Sequence, residues 1–139
     1  MANRILLRVV TPKQPVLETE VLELTAPGTV GEFGVLPEHV TFLSSLESGV
    51  LRYRKPEGEA AIAIRGGFAE VRDNVVTILA DEAVLADEIS VETARAELSA
   101  AEAELKRLDA SSAEYSTAEQ RRRWAEAQLA AARARSAPL

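Results

Sequence analysis

Along the first half of the chain, apolar and polar residues alternate; along the second they recur at helical spacing. Ile5, Leu7 and Val9 share one side of an alternating run with Arg8 between two of them, the pattern of a half-buried strand. Leu22, Leu24 and Ala26 alternate with Val21, Glu23 and Thr25, which predicts a strand with one buried and one wetter face, ended by Pro27-Gly28. Val50–Arg54 and Glu59–Ile64 flank Lys55-Pro56-Glu57-Gly58, a hairpin with a longer loop. Phe68–Arg72 and Val75–Ala80 flank Asp73-Asn74, a tight hairpin turn. Gly66-Gly67 predicts a bulge or a close backbone approach, and Thr11–Pro15 a turn-like connection. Short strands with frequent turn signals predict an all-β sandwich or flattened barrel.

Beyond residue 86 the period changes. Val91, Ala94, Leu98, Ala101, Leu105 and Leu108 are spaced 3, 4, 3, 4 and 3 apart, one apolar seam along a helix. Ser90 suits the N-cap, and Asp87 and Glu88 suit the positive helix end. Asp109–Tyr115 interrupts the pattern. Ser116 and Glu119 then form a capping-box signature for a second helix, whose face of Ala118, Ala125, Leu129 and Ala132 is thin, with Trp124 beside it. All 7 glycines lie at or before Gly67, and 5 of the 6 prolines at or before Pro56, so the breakers stop where the helical period begins. The predicted class is α+β: an N-terminal all-β sandwich or flattened barrel over residues 1–86, then an antiparallel two-helix hairpin over 87–139.

Charge and composition narrow the function. A net charge of −6 argues against nucleic acid as a partner, because phosphate binding needs a basic surface. The charge is uneven: residues 87–114 hold 8 acids and 3 bases, whereas 115–139 hold 5 arginines and 2 acids, which favours antiparallel packing of the helices. No cysteine is present, so disulfides and thiolate chemistry are excluded. No run approaches the ~20 apolar residues of a membrane helix, and Ile5–Val10 is too short for a signal core, which predicts a soluble chain that meets a membrane only through partners.

Catalytic chemistry has little to stand on. Phosphate-loop and dinucleotide-loop patterns are absent, as is a serine elbow. His39 is the one histidine, too few for a metal site. The acid pairs Asp81-Glu82 and Asp87-Glu88 read as solvated charges. The densest local signal is Gly31-Glu32-Phe33-Gly34-Val35-Leu36-Pro37-Glu38-His39, followed by the apolar run Val40–Leu46 and by Gly49-Val50. On chemistry alone it is a β-corner with glycine freedom and a surface histidine.

That same stretch resembles the signature region of the epsilon subunit of F-type ATP synthases, and the strand-then-helix order resembles the family along nearly the whole chain. The resemblance implies a non-catalytic rotor subunit without a cofactor, linking the gamma subunit to the c-ring for ion-driven ATP synthesis. It implies that Glu32 and His39 face the c-ring, and that Ser44 and Val50 meet gamma. It further implies that Arg121, Arg122, Arg123, Arg133 and Arg135 meet acidic loops of the catalytic alpha and beta subunits and restrain ATP hydrolysis. Three consecutive arginines span about 200° of a helix, so they cannot share one contact. The implied location is peripheral, on the cytoplasmic face of a bacterial plasma membrane, or on the stromal thylakoid face for a plastid-encoded chain.

Some members of that family bind ATP through an Asp-x-x-Arg motif at the first helix. The matching positions here are Ile89, Ser90, Thr93 and Ala94, where serine and threonine replace aspartate and arginine. Ser90 supplies no carboxylate and Thr93 no guanidinium, so ATP binding is weak or absent in this reading. The alternative function is an ATP-sensing module whose hairpin folds around the nucleotide.

Overall fold

A computed structural model of the protein describes residues 3–135. Ten strands occur among these residues: β1 (Ile5–Val10), β2 (Pro15–Val21), β3 (Glu23–Gly28), β4 (Gly31–Val35), β5 (Phe42–Leu46), β6 (Gly49–Lys55), β7 (Gly58–Arg65), β8 (Gly67–Arg72), β9 (Val75–Leu79) and β10 (Glu82–Leu85). They pair in the order β10-β7-β6-β3-β5-β8-β9-β1-β2, with β4 on β3. All pairings are antiparallel except β1 with β9. Lys55 Nζ of β6 donates to Thr19 Oγ1 of β2 at 3.0 Å, so the β2 end of the path curls back against β6 and the sheet forms a flattened barrel. Inside lie Ile5, Leu7 and Val9 of β1, Leu51 and Tyr53 of β6, Ile62 and Ile64 of β7, and Val76 and Ile78 of β9. These are the alternate positions that a period of two turns to one face.

Several local readings change. The alternation over 21–26 breaks at Leu22, a bend between β2 and β3, so Val21 is buried together with Leu24 and Ala26. The β6–β7 connection is only Pro56-Glu57, since Lys55 pairs with Gly58, whose φ is +142°. β2, β4 and β10 have weak alternation of their own and are held as strands by their partners. Asp73 and Asn74 both have positive φ (51° and 64°), as the two-residue turn between β8 and β9 requires. Gly67 has φ +109°, and a Cβ there would stand 2.0 Å from the Leu79 carbonyl oxygen, so only glycine lets β8 approach this close.

A single 3₁₀ turn, Ala86–Glu88, leads to α1 (Val91–Arg107). Ser90 caps α1, its Oγ accepting from the Thr93 N–H at 3.2 Å. The second helix, α2 (Ala113–Arg135), starts three residues before the Ser116 capping box. Its cap is Ser112, whose Oγ accepts from the Tyr115 N–H at 3.1 Å and donates to the Asp109 carbonyl. The hydrogen bond from Ser111 to the Asp109 carboxylate holds the Asp109 pKa below its usual value. That compact serine turn makes the interhelical break shorter than the sequence pattern implies.

α2 packs on two sides. Ala94 and Ala101 of α1 and Ala118 and Ala125 of α2 are buried, each pair seven residues apart, where small side chains let helices approach closely. A different face of α2, carrying Trp124, Ala127, Ala131 and Ala132, packs with Val50, Ala61, Ala63, Ala86 and Ile89 in a second apolar cluster. α2 therefore lies between α1 and the outer face of β6–β7. No ion pair joins α1 to α2 among the described residues; Arg122 and Arg123 pair with Glu119 and Glu126 of their own helix.

Candidate functional site

Three surfaces hold the residues singled out from the sequence. The first surrounds β4 and the loop after it. Glu32 pairs with Pro27 beside the exposed Thr29-Val30 turn, next to the C-terminal end of β5. His39 lies in the loop before the other end of β5. Aromatic edges connect them: Phe33 meets Phe42 at 5.1 Å between ring centroids, and His39 meets Phe42 at 6.0 Å. His39 Nδ1 is 2.7 Å from the Val40 carbonyl oxygen. A carbonyl only accepts, so Nδ1 carries the proton in that bond and Nε2 remains for an outside contact. Glu38 between them has φ +68°, a conformation disfavoured for a residue with a Cβ.

The second surface is the outer face of β5, β8 and β9. Ser44 sits half-buried opposite Ala69, and its hydroxyl donates to the Ser45 carbonyl. The outward positions are its neighbours Leu43 and Ser45. Ser45 stands opposite Phe68, and Phe68 opposite Leu79. Leu43, Phe68 and Leu79 are 69 %, 56 % and 54 % exposed, an apolar group that alternation alone does not single out. The strand pairing that gathers it is only partly readable from turn signals.

The third surface is α2 on the sandwich. Val50 is buried there beneath α2, 8 % exposed. Arg121 and Arg133 are exposed. Arg122 is engaged by Glu119 and Glu126, and Arg123 by Glu119 at 3.0 Å. The side chain of Arg135 lies outside the described residues. At the start of α1, Ile89 and Ala94 are buried, while the Ser90 and Thr93 hydroxyls hydrogen-bond each other at 2.9 Å. These four residues form a helix cap. Nearby, burial first and then the Asp87 carboxylate raise the Tyr53 pKa above its usual value.

A family model described as ATP synthase, Delta/Epsilon chain, beta-sandwich domain, matches residues 4–86. The ATP synthase epsilon chain of Geobacter sp. (strain M21) is 48 % identical over 108 residues, covering 78 % of each chain. The epsilon chain of Syntrophobacter fumaroxidans is 50 % identical over 105 residues, 76 % of this chain and 78 % of that one. The chain belongs to the ATP synthase epsilon chain family.

Epsilon chains are non-catalytic stalk subunits, and this one is too. Among solved structures, a chain of the Euglena gracilis mitochondrial ATP synthase OSCP/F1/c-ring assembly superposes with a TM-score of 0.81 at 30 % identity, over 94 % of this chain and 82 % of that one. A chain of the Tetrahymena thermophila mitochondrial central stalk and c-ring shares the fold, with a TM-score of 0.57 at 15 % identity over 92 % and 96 %. No helix among the described residues is long and apolar enough to cross a membrane.

Proposed function

We propose that this chain works in the rotor of an ATP synthase, joining the gamma subunit to the c-ring for ion-driven ATP synthesis, and that its helical hairpin restrains ATP hydrolysis. In this reading residues 1–86 bind the rotor and 87–139 regulate. Glu32 and His39 contact the c-ring. Gamma lies on the Ser44 strand, where Leu43, Phe68 and Leu79 supply the apolar contact; Val50 joins it only after α2 has lifted. Arg121, Arg122, Arg123, Arg133 and Arg135 meet the alpha and beta subunits in the lifted state. The chain is then peripheral, held on the cytoplasmic face of the membrane (or the stromal face in a plastid) by its partners.

The observation that carries this reading is the exposed apolar face of β5, β8 and β9 in a member of the epsilon family, on strands that α2 leaves uncovered. An ATP-sensing role finds less support, because the Ser90 and Thr93 hydroxyls already cap α1. Two assays test the proposal. Leu43→Asp with Phe68→Asp should abolish co-purification with gamma while the chain stays folded; retained binding overturns the gamma assignment. Deleting residues 115–139, or replacing the five arginines by alanine, should raise ATP hydrolysis by the assembled enzyme. Equal rates at equal subunit content overturn the regulatory assignment.

A further inference from the structure

The loop between β4 and β5, residues 36–41, is exposed at Leu36 and Val40 and contains the one strained residue of the region, Glu38. L-residues leave the left-handed region unless something holds them there. What holds Glu38 comes from 36 residues further along the chain. The Glu38 N–H donates to Asn74 Oδ1 at 2.7 Å, and Asn74 Nδ2 donates back to Glu38 Oε1 at 3.2 Å. This reciprocal pair closes a ring between the loop and the β8–β9 turn.

Asn74 is itself fixed. Its positive φ belongs to the two-residue turn, and its carbonyl accepts from the Leu6 N–H of β1 at 2.9 Å. Asparagine tolerates that backbone and carries both a donor and an acceptor, so one side chain satisfies both halves of Glu38. The other polar contacts of the loop are local: the His39 N–H donates to the Leu36 carbonyl at 3.2 Å, and the His39 ring bonds Val40. The local turn shapes the loop and the His39 ring packs on Phe42 of β5; the clip is the polar contact that ties the loop to the distant β8–β9 turn.

We propose that Asn74, through its paired hydrogen bonds to Glu38, is a positioning residue that locks loop 36–41 onto the barrel in the shape in which His39 and Val40 meet the rotor partner. The proposal rests on the rotor reading for the identity of that partner and on the structure for the clip. The turn at Asp73-Asn74 and the partner-facing loop are thereby one unit, so binding depends on a residue that does not touch the partner.

The full-length chain tests this with substitutions matched to the backbone. Asn74→Gly keeps the turn, because glycine is favoured at its φ, and deletes both clip bonds. Amide exchange at Glu38 and His39 should quicken about tenfold, and affinity for the co-expressed c-ring–gamma assembly should fall about as much, while the chain stays cooperatively folded with a melting temperature lower by only a few degrees. Glu38→Gly keeps the main-chain bond to Asn74 and removes the strain, so it should bind like the parent. Asn74→Asp sets two carboxylates together and should weaken binding; adding Glu38→Gln restores a donor and should rescue it. Unchanged exchange in Asn74→Gly overturns the clip. Faster exchange with unchanged binding, or a failed rescue, overturns its positioning role. If the parent chain itself does not bind the assembly, the rotor reading falls, and the exchange measurement still decides the clip.

Discussion

Trp124 should decide whether α2 stays on the sandwich. It is the only tryptophan of the chain and is 8 % exposed, packed in the cluster with Val50, Ala61 and Ala63. A buried tryptophan removes about 150–250 Å² from water, which at ~25 cal/mol per Å² is an upper bound of about 4–6 kcal/mol. Truncating a buried aromatic side chain to alanine typically costs about 3–5 kcal/mol. The other α2 residues of that cluster are alanines, which offer little area in compensation. Trp124→Ala should therefore weaken docking by about 3 kcal/mol, roughly a 150-fold rise in the lifted fraction. The chain has no cysteine, so Ala61→Cys gives a specific probe beneath α2. Thiol labelling at position 61 measures the lifted fraction when opening is fast relative to labelling. Labelling should accelerate about 150-fold in the Trp124→Ala background, with Trp124→Phe in between. If the rate changes by less than threefold, close alanine packing carries the docking and the reasoning from aromatic area is wrong.

Three further outcomes follow from the packing. A chain ending at Glu88 should unfold cooperatively in urea, since the barrel core draws on β1–β10 alone, though baring Val50, Ala61 and Ala63 should lower its solubility. Gly67→Ala should destabilise the barrel by about 3 kcal/mol or more in urea titrations, because its Cβ collides with backbone in a positive-φ conformation. The folded-state pKa of Tyr53 is raised, by burial first and by Asp87 second. That contribution to stability is present below the unfolded value of ~10 and is lost as pH rises through the folded value. Stability above pH 10 should fall less steeply in Tyr53→Phe.

Features encoded within a few residues are legible in the amino-acid order itself. The alternation of Ile5, Leu7 and Val9 marks the inner face of β1, and Asp73-Asn74 marks the β8–β9 turn. Ser90 marks the start of α1, and the seam from Val91 to Leu108 marks the face that α1 turns to α2. In each case the signal and the interaction lie on the same strand, turn or helix. The glycine-rich stretch through His39 is enough for the family. The start of α2 is misplaced by the sequence pattern because Ser112 and Ser116 both fit a cap locally, and the Asp109 turn selects the first.

Partners distant in sequence are decided by tertiary structure. Three strands, β2, β4 and β10, exist because neighbours supply the hydrogen bonds that their own patterns do not demand. The two faces of α2 exist because it lies between α1 and β6–β7, whereas its own residues suggest one thin face. Leu43, Phe68 and Leu79 become one surface only through the pairing of β5, β8 and β9. Asn74 reaches Glu38 only because the β8–β9 turn folds beside the loop before β5. Period and capping act over one or two turns of chain, so the amino-acid order carries them directly. Which sheet edge, helix face or loop meets which depends on how the whole barrel closes.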